Sequence, residues 1–84
     1  MNILKSFYHR TRREFVSLMA SEVARRTKRG EAQCTAELVK LARKGLAIGV
    51  RVPHHSRIYA WELTPAGKAQ AEQIIRAEAM ARSV

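Results

Sequence analysis

The hydrophobic residues of the N-terminal segment recur at roughly helical intervals, which predicts a helix over about residues 3–15. A second signal lies within the same segment. Thr11 and Glu14 have the spacing of a capping box, in which two side chains satisfy the first free N–H groups of a helix, so a helix beginning at Arg12 is the alternative. The pattern leaves the boundary of this element open.

A short second helix is predicted over residues 22–27. Ser21 is a residue type that caps helix N-termini, and Glu22 would stand in the first turn, where the helix dipole favours an acidic side chain. Lys28, Arg29 and Gly30 then break the helical pattern. This break predicts a tight turn before the next helix.

The third helix is predicted over residues 31–44. Cys34, Leu38 and Leu41 recur there at positions i, i+4 and i+7, which places them on one buried stripe. Gly45 follows where a left-handed residue commonly ends a helix. The second and third helices together form a helix-turn-helix candidate.

After Gly45 the hydrophobic period changes to two, the spacing of a strand with one buried face. Two such strands are predicted, joined by a polar loop over residues 53–57. The predicted core-facing residues are Leu46, Ile48 and Val50 on the first strand and Tyr59, Trp61 and Leu63 on the second.

Thr64 and Pro65 supply a cap and a first-turn proline for a last, alanine-rich helix over about residues 65–81. The element order is therefore helix, helix, helix, strand, strand, helix. This is the winged helix-turn-helix layout, a mostly α fold with a small β-hairpin (α+β). The 84 residues are predicted to form one domain, with the helix-turn-helix at about 21–44 and the wing at about 46–63.

The charge of the chain points to a polyanionic partner. Sixteen Lys and Arg residues stand against seven acidic ones, which gives a net charge of +9 at pH 7. Such an excess in a small domain is typical of nucleic-acid binding. No apolar run approaches the roughly 18 residues that a membrane-spanning helix requires, so we expect no membrane association and a cytoplasmic location.

Little in the sequence supports catalysis or metal binding. The chain has no Asp, and its single cysteine, Cys34, excludes an internal disulfide and a cysteine-based zinc site. Cys34 lies on the predicted buried stripe, so it is interpreted as a core residue. The adjacent pair His54 and His55 has no evident third ligand. We therefore expect no metal, no cofactor and no enzymatic activity.

Two motifs give the sequence a family resemblance. Lys44–Leu46 stands where the third helix passes into the wing, and Leu63–Lys68 reads Leu-Thr-Pro-Ala-Gly-Lys directly after it. In this order and register, the region from Ala20 to Ile75 resembles the winged helix-turn-helix core of bacterial transcription regulators of the MarR and PadR types. The resemblance implies a DNA-binding fold, double-stranded DNA as the partner and a homodimer.

The same resemblance assigns roles to residues. It places the third helix in the major groove, where Gln33 would pair with adenine and small residues would allow close approach to the bases. The expected recognition-helix contacts are Ala32, Gln33, Ala36, Lys40 and Arg43. The expected phosphate contacts beside the turn are Arg25, Arg26, Lys28 and Arg29, and the expected wing contacts are Arg51, His54, His55 and Arg57. The alternative for each set is an ordinary solvated surface.

The function predicted from these observations is a small, sequence-specific transcription regulator of the phage or mobile-element type. Two alternatives remain open. The chain could be a winged-helix interaction module or inhibitor that binds a nucleic-acid-handling protein, or it could bind DNA without sequence preference in an architectural or replication role.

Overall fold

The computed structural model describes residues 2–51 and 58–82. In chain order its elements are α1 (Ile3–Ser6), β1 (Tyr8–His9), β2 (Glu14–Phe15), α2 (Ala20–Thr27), α3 (Glu31–Arg43), β3 (Ala47–Arg51), β4 (Ile58–Leu63) and α4 (Pro65–Arg82). Helices α2 and α3 form the helix-turn-helix, and β3 and β4 pair as the antiparallel wing. Within the described residues, no helix has the length and apolar character needed to cross a membrane.

The predicted α+β winged-helix layout is confirmed, with one addition at the edge of the wing. Leu18, in the segment before α2, pairs with Trp61 of β4 in an isolated antiparallel bridge. The Leu18 N–H donates to the Trp61 carbonyl at 2.8 Å, and the Trp61 N–H donates back at 2.7 Å. The bridge fixes the entry to α2 against the sheet.

The predicted first helix is wrong in both of its forms. Helix α1 ends at Ser6, and the chain then forms the β1–β2 hairpin, in which Tyr8 pairs with Phe15 and His9 with Glu14. The Tyr8 and Phe15 rings meet edge-to-face, with 5.3 Å between their centroids. The aromatic residues that suggested a helical stripe therefore contact each other across two strands.

The start of α2 also differs from the prediction. Met19 is the N-cap and Ser21 lies within the helix, so Ser21 does not cap it. The Glu22 side chain reaches back instead, and its Oε1 accepts the Met19 N–H at 3.1 Å. The acidic residue of the first turn thus caps the helix from within, as the glutamate of a capping box does.

The end of α3 follows the prediction. Gly45 has φ = 76°, in the left-handed region that favours glycine. Its N–H donates to the Ala42 carbonyl at 3.0 Å, and the Leu46 N–H donates to the Leu41 carbonyl at 2.9 Å. These two bonds form a Schellman motif, which turns the chain directly into β3.

The buried face of β3 is shifted by one residue from the prediction. Ala47 and Gly49 lie opposite Leu63 and Trp61, so they share the core-facing side of the wing. Ile48 and Val50 point outward and are 51 % and 37 % exposed. Gly49 leaves room for Ile58, whose side chain lies 2.9 Å from where a Cβ would stand.

The alternation of β4 is interrupted as well. Val50 pairs with Ala60 and Arg51 with Ile58, so Tyr59 is the extra residue of a bulge. Trp61 and Leu63 are buried as predicted, and Ile58, beyond the register shift, packs half-buried against the core; the side chain of Tyr59, also predicted to face the core, lies outside what the structure describes. An alternation of hydrophobic and polar residues in the sequence could not reveal this shift in the pairing of β3 with β4.

One core connects these elements. It contains residues from α1, α2, α3, the wing and α4: Ile3, Leu4, Phe7, Leu18, Val23, Ala24, Cys34, Leu38, Leu46, Ala47, Trp61, Leu63 and Ala71. Cys34 is fully buried, as predicted, and its Sγ lies 3.6 Å from Thr27 Oγ1. The inner stripe of α3 is therefore fixed, and its opposite face is turned to solvent.

The start of α4 is fastened to the end of α3. Thr64 Oγ1 donates to the Gly45 carbonyl at 2.6 Å and accepts the Gly67 N–H at 3.2 Å. The Thr64 N–H donates to the Leu46 carbonyl at 3.1 Å. Thr64 thus caps α4 as predicted and also joins it to the helix-turn-helix.

Candidate nucleic-acid interface

The outer face of α3 carries the predicted recognition residues. Because Cys34 and Leu38 are buried, the helical repeat turns the other side of α3 outward. All five predicted recognition positions are exposed: Ala32, Gln33, Ala36, Lys40 and Arg43. The structure therefore presents the whole set on one accessible surface.

The middle of this surface is less polar than the prediction assumed. Val39 lies beside Ala32 and Ala36 on the helical repeat and is 36 % exposed, yet it was not among the predicted residues. Its spacing of three residues from Ala36 is the sequence signal that identifies it. Gln33 and Lys40 flank this apolar strip, and Arg43 continues it towards the C-terminus of α3.

Two of the four arginine and lysine residues beside the turn are bonded within the fold. Arg26 Nη1 donates to the carbonyl oxygen of Ser6, the last residue of α1, at 2.8 Å. Arg29 Nη1 forms an ion pair with Glu37 Oε2 of α3, also at 2.8 Å. Arg26 therefore supports α1, and Arg29 joins the turn to α3.

Arg25 and Lys28 are the other two members of this set, and both are exposed. Lys28 is the C-cap of α2, where its φ of 57° places a non-glycine residue in the left-handed region. The Lys28 and Arg29 N–H groups both donate to the Ala24 carbonyl, which closes the helix end. Lys28 thus lies in the turn, three residues before the start of α3.

The wing is described in part. Arg51, at the end of β3, is exposed. The other predicted wing contacts, His54, His55 and Arg57, lie outside the described residues. The outer face of the described part shows Ile48 next to Glu62, whose Oε2 accepts a hydrogen bond from Ser17 Oγ at 2.9 Å.

Comparison with known proteins gives one structural match. No protein-family model matches the sequence, and no curated protein matches it. The fold is similar to that of Lactococcus lactis ZitR, solved as a mutant in its apo form, with a TM-score of 0.68 and 22 % sequence identity. The match covers 80 % of this chain and 51 % of the ZitR chain, so the chain spans about half the length of that structure. The likeness establishes the shared winged-helix fold.

Proposed function

We propose that this chain is a DNA-binding transcription regulator that reads a specific site by placing α3 in the major groove. The observation that carries the proposal is the outer face of α3, where Gln33 stands at the edge of an accessible strip of small apolar residues. An α-helix fits the major groove of B-DNA, and a glutamine amide can pair with both N6 and N7 of adenine. The strip lets the helix approach the bases and contact thymine methyl groups.

Charge supports the same orientation. Arg25 of α2 and Lys28 of the turn before α3 are exposed, and Lys40 and Arg43 lie on the outer face of α3. Lysine and arginine beside a recognition helix bind phosphates and fix the register of the protein on the duplex. In this proposal Arg29 acts through Glu37, by holding the turn against α3.

A homodimer formed through α4 completes the proposal. One flank of this 18-residue helix has no charged residue along its length and is exposed. It consists of Ala66, Gln70, Gln73, Ala77 and Ala81. Small side chains at helical spacing allow two helices to approach closely, and a dimer doubles the length of DNA contacted.

Selection from random duplexes tests the proposal directly. We expect enrichment of a palindromic site. Gln33→Ala should then relax the preference at one or two base pairs by about 1–3 kcal/mol each, because the bidentate pair with adenine is lost. Arg25→Ala, which removes an expected phosphate contact, is the control: it should weaken all sequences alike and leave the base preference unchanged. An unaltered preference in Gln33→Ala would show that α3 does not read the bases.

The exposed apolar residues of β3 favour one second candidate function. Ile48 and Val50 lie outward on the wing, which suits a protein contact better than a phosphate contact. In that case the chain is an interaction module for a nucleic-acid-handling protein. Selection without enrichment of any duplex would support this second function over the first.

A further inference from the structure

A second cationic surface lies away from α3. A groove of about 510 Å³ runs between the β1–β2 hairpin and the second half of α4. None of its described lining residues belongs to α3, β3 or β4. Five of them are cationic and come from four parts of the chain: Lys5 of α1, Arg10 and Arg13 of the hairpin turn, Arg26 of α2 and Arg82 of α4.

A single carboxylate faces these cations among the described lining residues. Glu78 of α4 forms an ion pair with Lys5, and this contact joins α1 to α4. Its pKa is lowered by the hydrogen bond from Lys5 and by the charges of Lys5, Arg82 and Arg10. The groove thus already stabilises one negative group, and four cations remain in excess of it.

The Arg10 and Arg13 side chains are available to a ligand. Both residues are exposed, and neither side chain forms a hydrogen bond or ion pair with the part of the chain that the structure describes. Ile75 and Ala79 of α4 and the half-buried Tyr8 of β1 add apolar surface to the lining, between these cations and Arg82. A ligand here meets arginines together with apolar side chains.

We propose that this groove binds consecutive phosphate groups, carried by a nucleoside polyphosphate or by a nucleic-acid backbone. Arginine guanidinium groups bind phosphate through paired, charge-assisted hydrogen bonds, and closely spaced phosphates match several cations converging on one groove. The phosphates lie against Arg10, Arg13 and Arg82, and the Lys5–Glu78 ion pair stays in place beneath them. The volume is that of a small-ligand site.

Calorimetric titration of the full chain with inorganic tripolyphosphate tests the proposal. Arg10→Gln and Arg13→Gln should each weaken binding about five- to tenfold, the loss of one partly exposed charge-assisted contact. Lys68→Gln removes one positive charge from the exposed first half of α4, outside the groove, and should change the affinity by less than about twofold. Glu78→Gln should tighten binding, because it removes the one carboxylate that repels the ligand.

Two results would overturn the site. Equal losses in Arg10→Gln and Lys68→Gln would mean that only net charge matters. Citrate binding as tightly as tripolyphosphate would mean that the groove selects carboxylates, as it would for an acidic peptide. Circular dichroism of each variant verifies that the fold is intact.

The source of the phosphates follows from a competition with duplex DNA. If tripolyphosphate displaces the duplex and Arg10→Gln weakens duplex binding, the groove holds a nucleic-acid backbone. If duplex affinity is unaltered in Arg10→Gln while ATP binds and is weakened by that variant, the groove holds a free nucleotide. The groove and α3 share no residue, so the Gln33→Ala experiment can fail without affecting this result.

Discussion

Gly67 lies directly against the backbone of Leu46: a Cβ built on Gly67 would stand 1.9 Å from the Leu46 carbonyl oxygen. That carbonyl also accepts the Thr64 N–H, so it cannot move away without breaking the junction between α3 and α4. The two residues belong to the two motifs that carry the family resemblance, Lys44–Leu46 and Leu63–Lys68. Their contact explains in physical terms why the two motifs occur together.

Gly67→Ala is therefore expected to destabilise the fold strongly. Overpacking against backbone costs typically about 1–3 kcal/mol, and this position belongs at the upper end because the neighbouring atom is a bonded carbonyl oxygen. Chemical denaturation measures the loss. Gly30→Ala is the matched control: nothing lies within 4 Å of a Cβ there, and a change at this N-cap should cost less than about 1 kcal/mol. Equal effects of the two substitutions would contradict the contact.

Acid should weaken the contact between α1 and α4. The pKa of Glu78 is lowered from its ordinary value of 4.5, first by the hydrogen bond from Lys5. A lowered pKa means that the ionised carboxylate stabilises the fold above pH 4.5, and that this contribution disappears as the pH falls through the lower folded value. Glu78→Gln should reduce stability at pH 7 and flatten its decline below pH 4.5. Lys5→Gln removes the partner of Glu78 and should flatten the decline in the same way, so an unaltered profile in both variants would contradict the ion pair.

The neighbours Arg25 and Arg26 should separate binding from stability. Arg25→Ala is expected to weaken all duplexes alike and leave the free energy of unfolding unchanged, because Arg25 is exposed beside the proposed interface. Arg26→Ala removes the charged donor of the Ser6 carbonyl and should destabilise the fold by about 1–3 kcal/mol. Thermal unfolding and duplex titration, measured on both variants, check the two effects. If Arg26→Ala weakened duplex binding and Arg25→Ala lowered the stability, then Arg26 and not Arg25 would contact the DNA.

Duplex binding should depend strongly on salt. Each neutralised phosphate contributes about −0.9 to the slope of log K against log salt concentration, so several contacts by this +9 chain should give a slope of roughly −4 or steeper. Titrations between low and moderate salt measure it. A flat response would be incompatible with DNA as the partner.

The α4 dimer is expected to respond to a charge on its uncharged flank. Ala77→Glu should shift the chain towards monomer, because two carboxylates would be brought together at the interface. Ala69→Glu makes the same change on a different side of α4 and should leave the association unaltered. Sedimentation velocity over a range of protein concentrations distinguishes the two, and monomers at all concentrations for the parent would exclude the dimer.

Sequence patterns identified the parts of this fold that depend on local chemistry. The glycine after α3 and the threonine before α4 were predictable because each satisfies the free groups of a helix end within a few residues. The first segment was not, since Tyr8 and Phe15 suit a helical stripe and a cross-strand pair equally well. The outward turn of Ile48 was also hidden, because Leu46 and Ala47 are both buried and the pairing of Ala47 with Leu63 turns the next residue outward.

In the candidate site, too, features set by local sequence were predictable and contacts between distant residues were not. Exposure of Gln33 follows from the buried stripe of Cys34 and Leu38, which the sequence displays directly. The bonds of Arg26 to Ser6 and of Arg29 to Glu37 join different elements, so a run of basic residues gave no sign of them. The groove was hidden for the same reason, since Lys5 and Glu78, the ion pair within it, lie 73 residues apart in the chain.

The junction at Gly45, Leu46 and Thr64 has a geometric consequence for recognition. It fixes the angle between α3 and α4 through three hydrogen bonds and one backbone contact. In a dimer assembled along α4, the angle between α3 and α4 sets the distance between the two α3 helices and their orientation relative to each other. The junction would then determine the distance between the two DNA half-sites that the dimer binds, and this distance follows the helical repeat of about 34–36 Å.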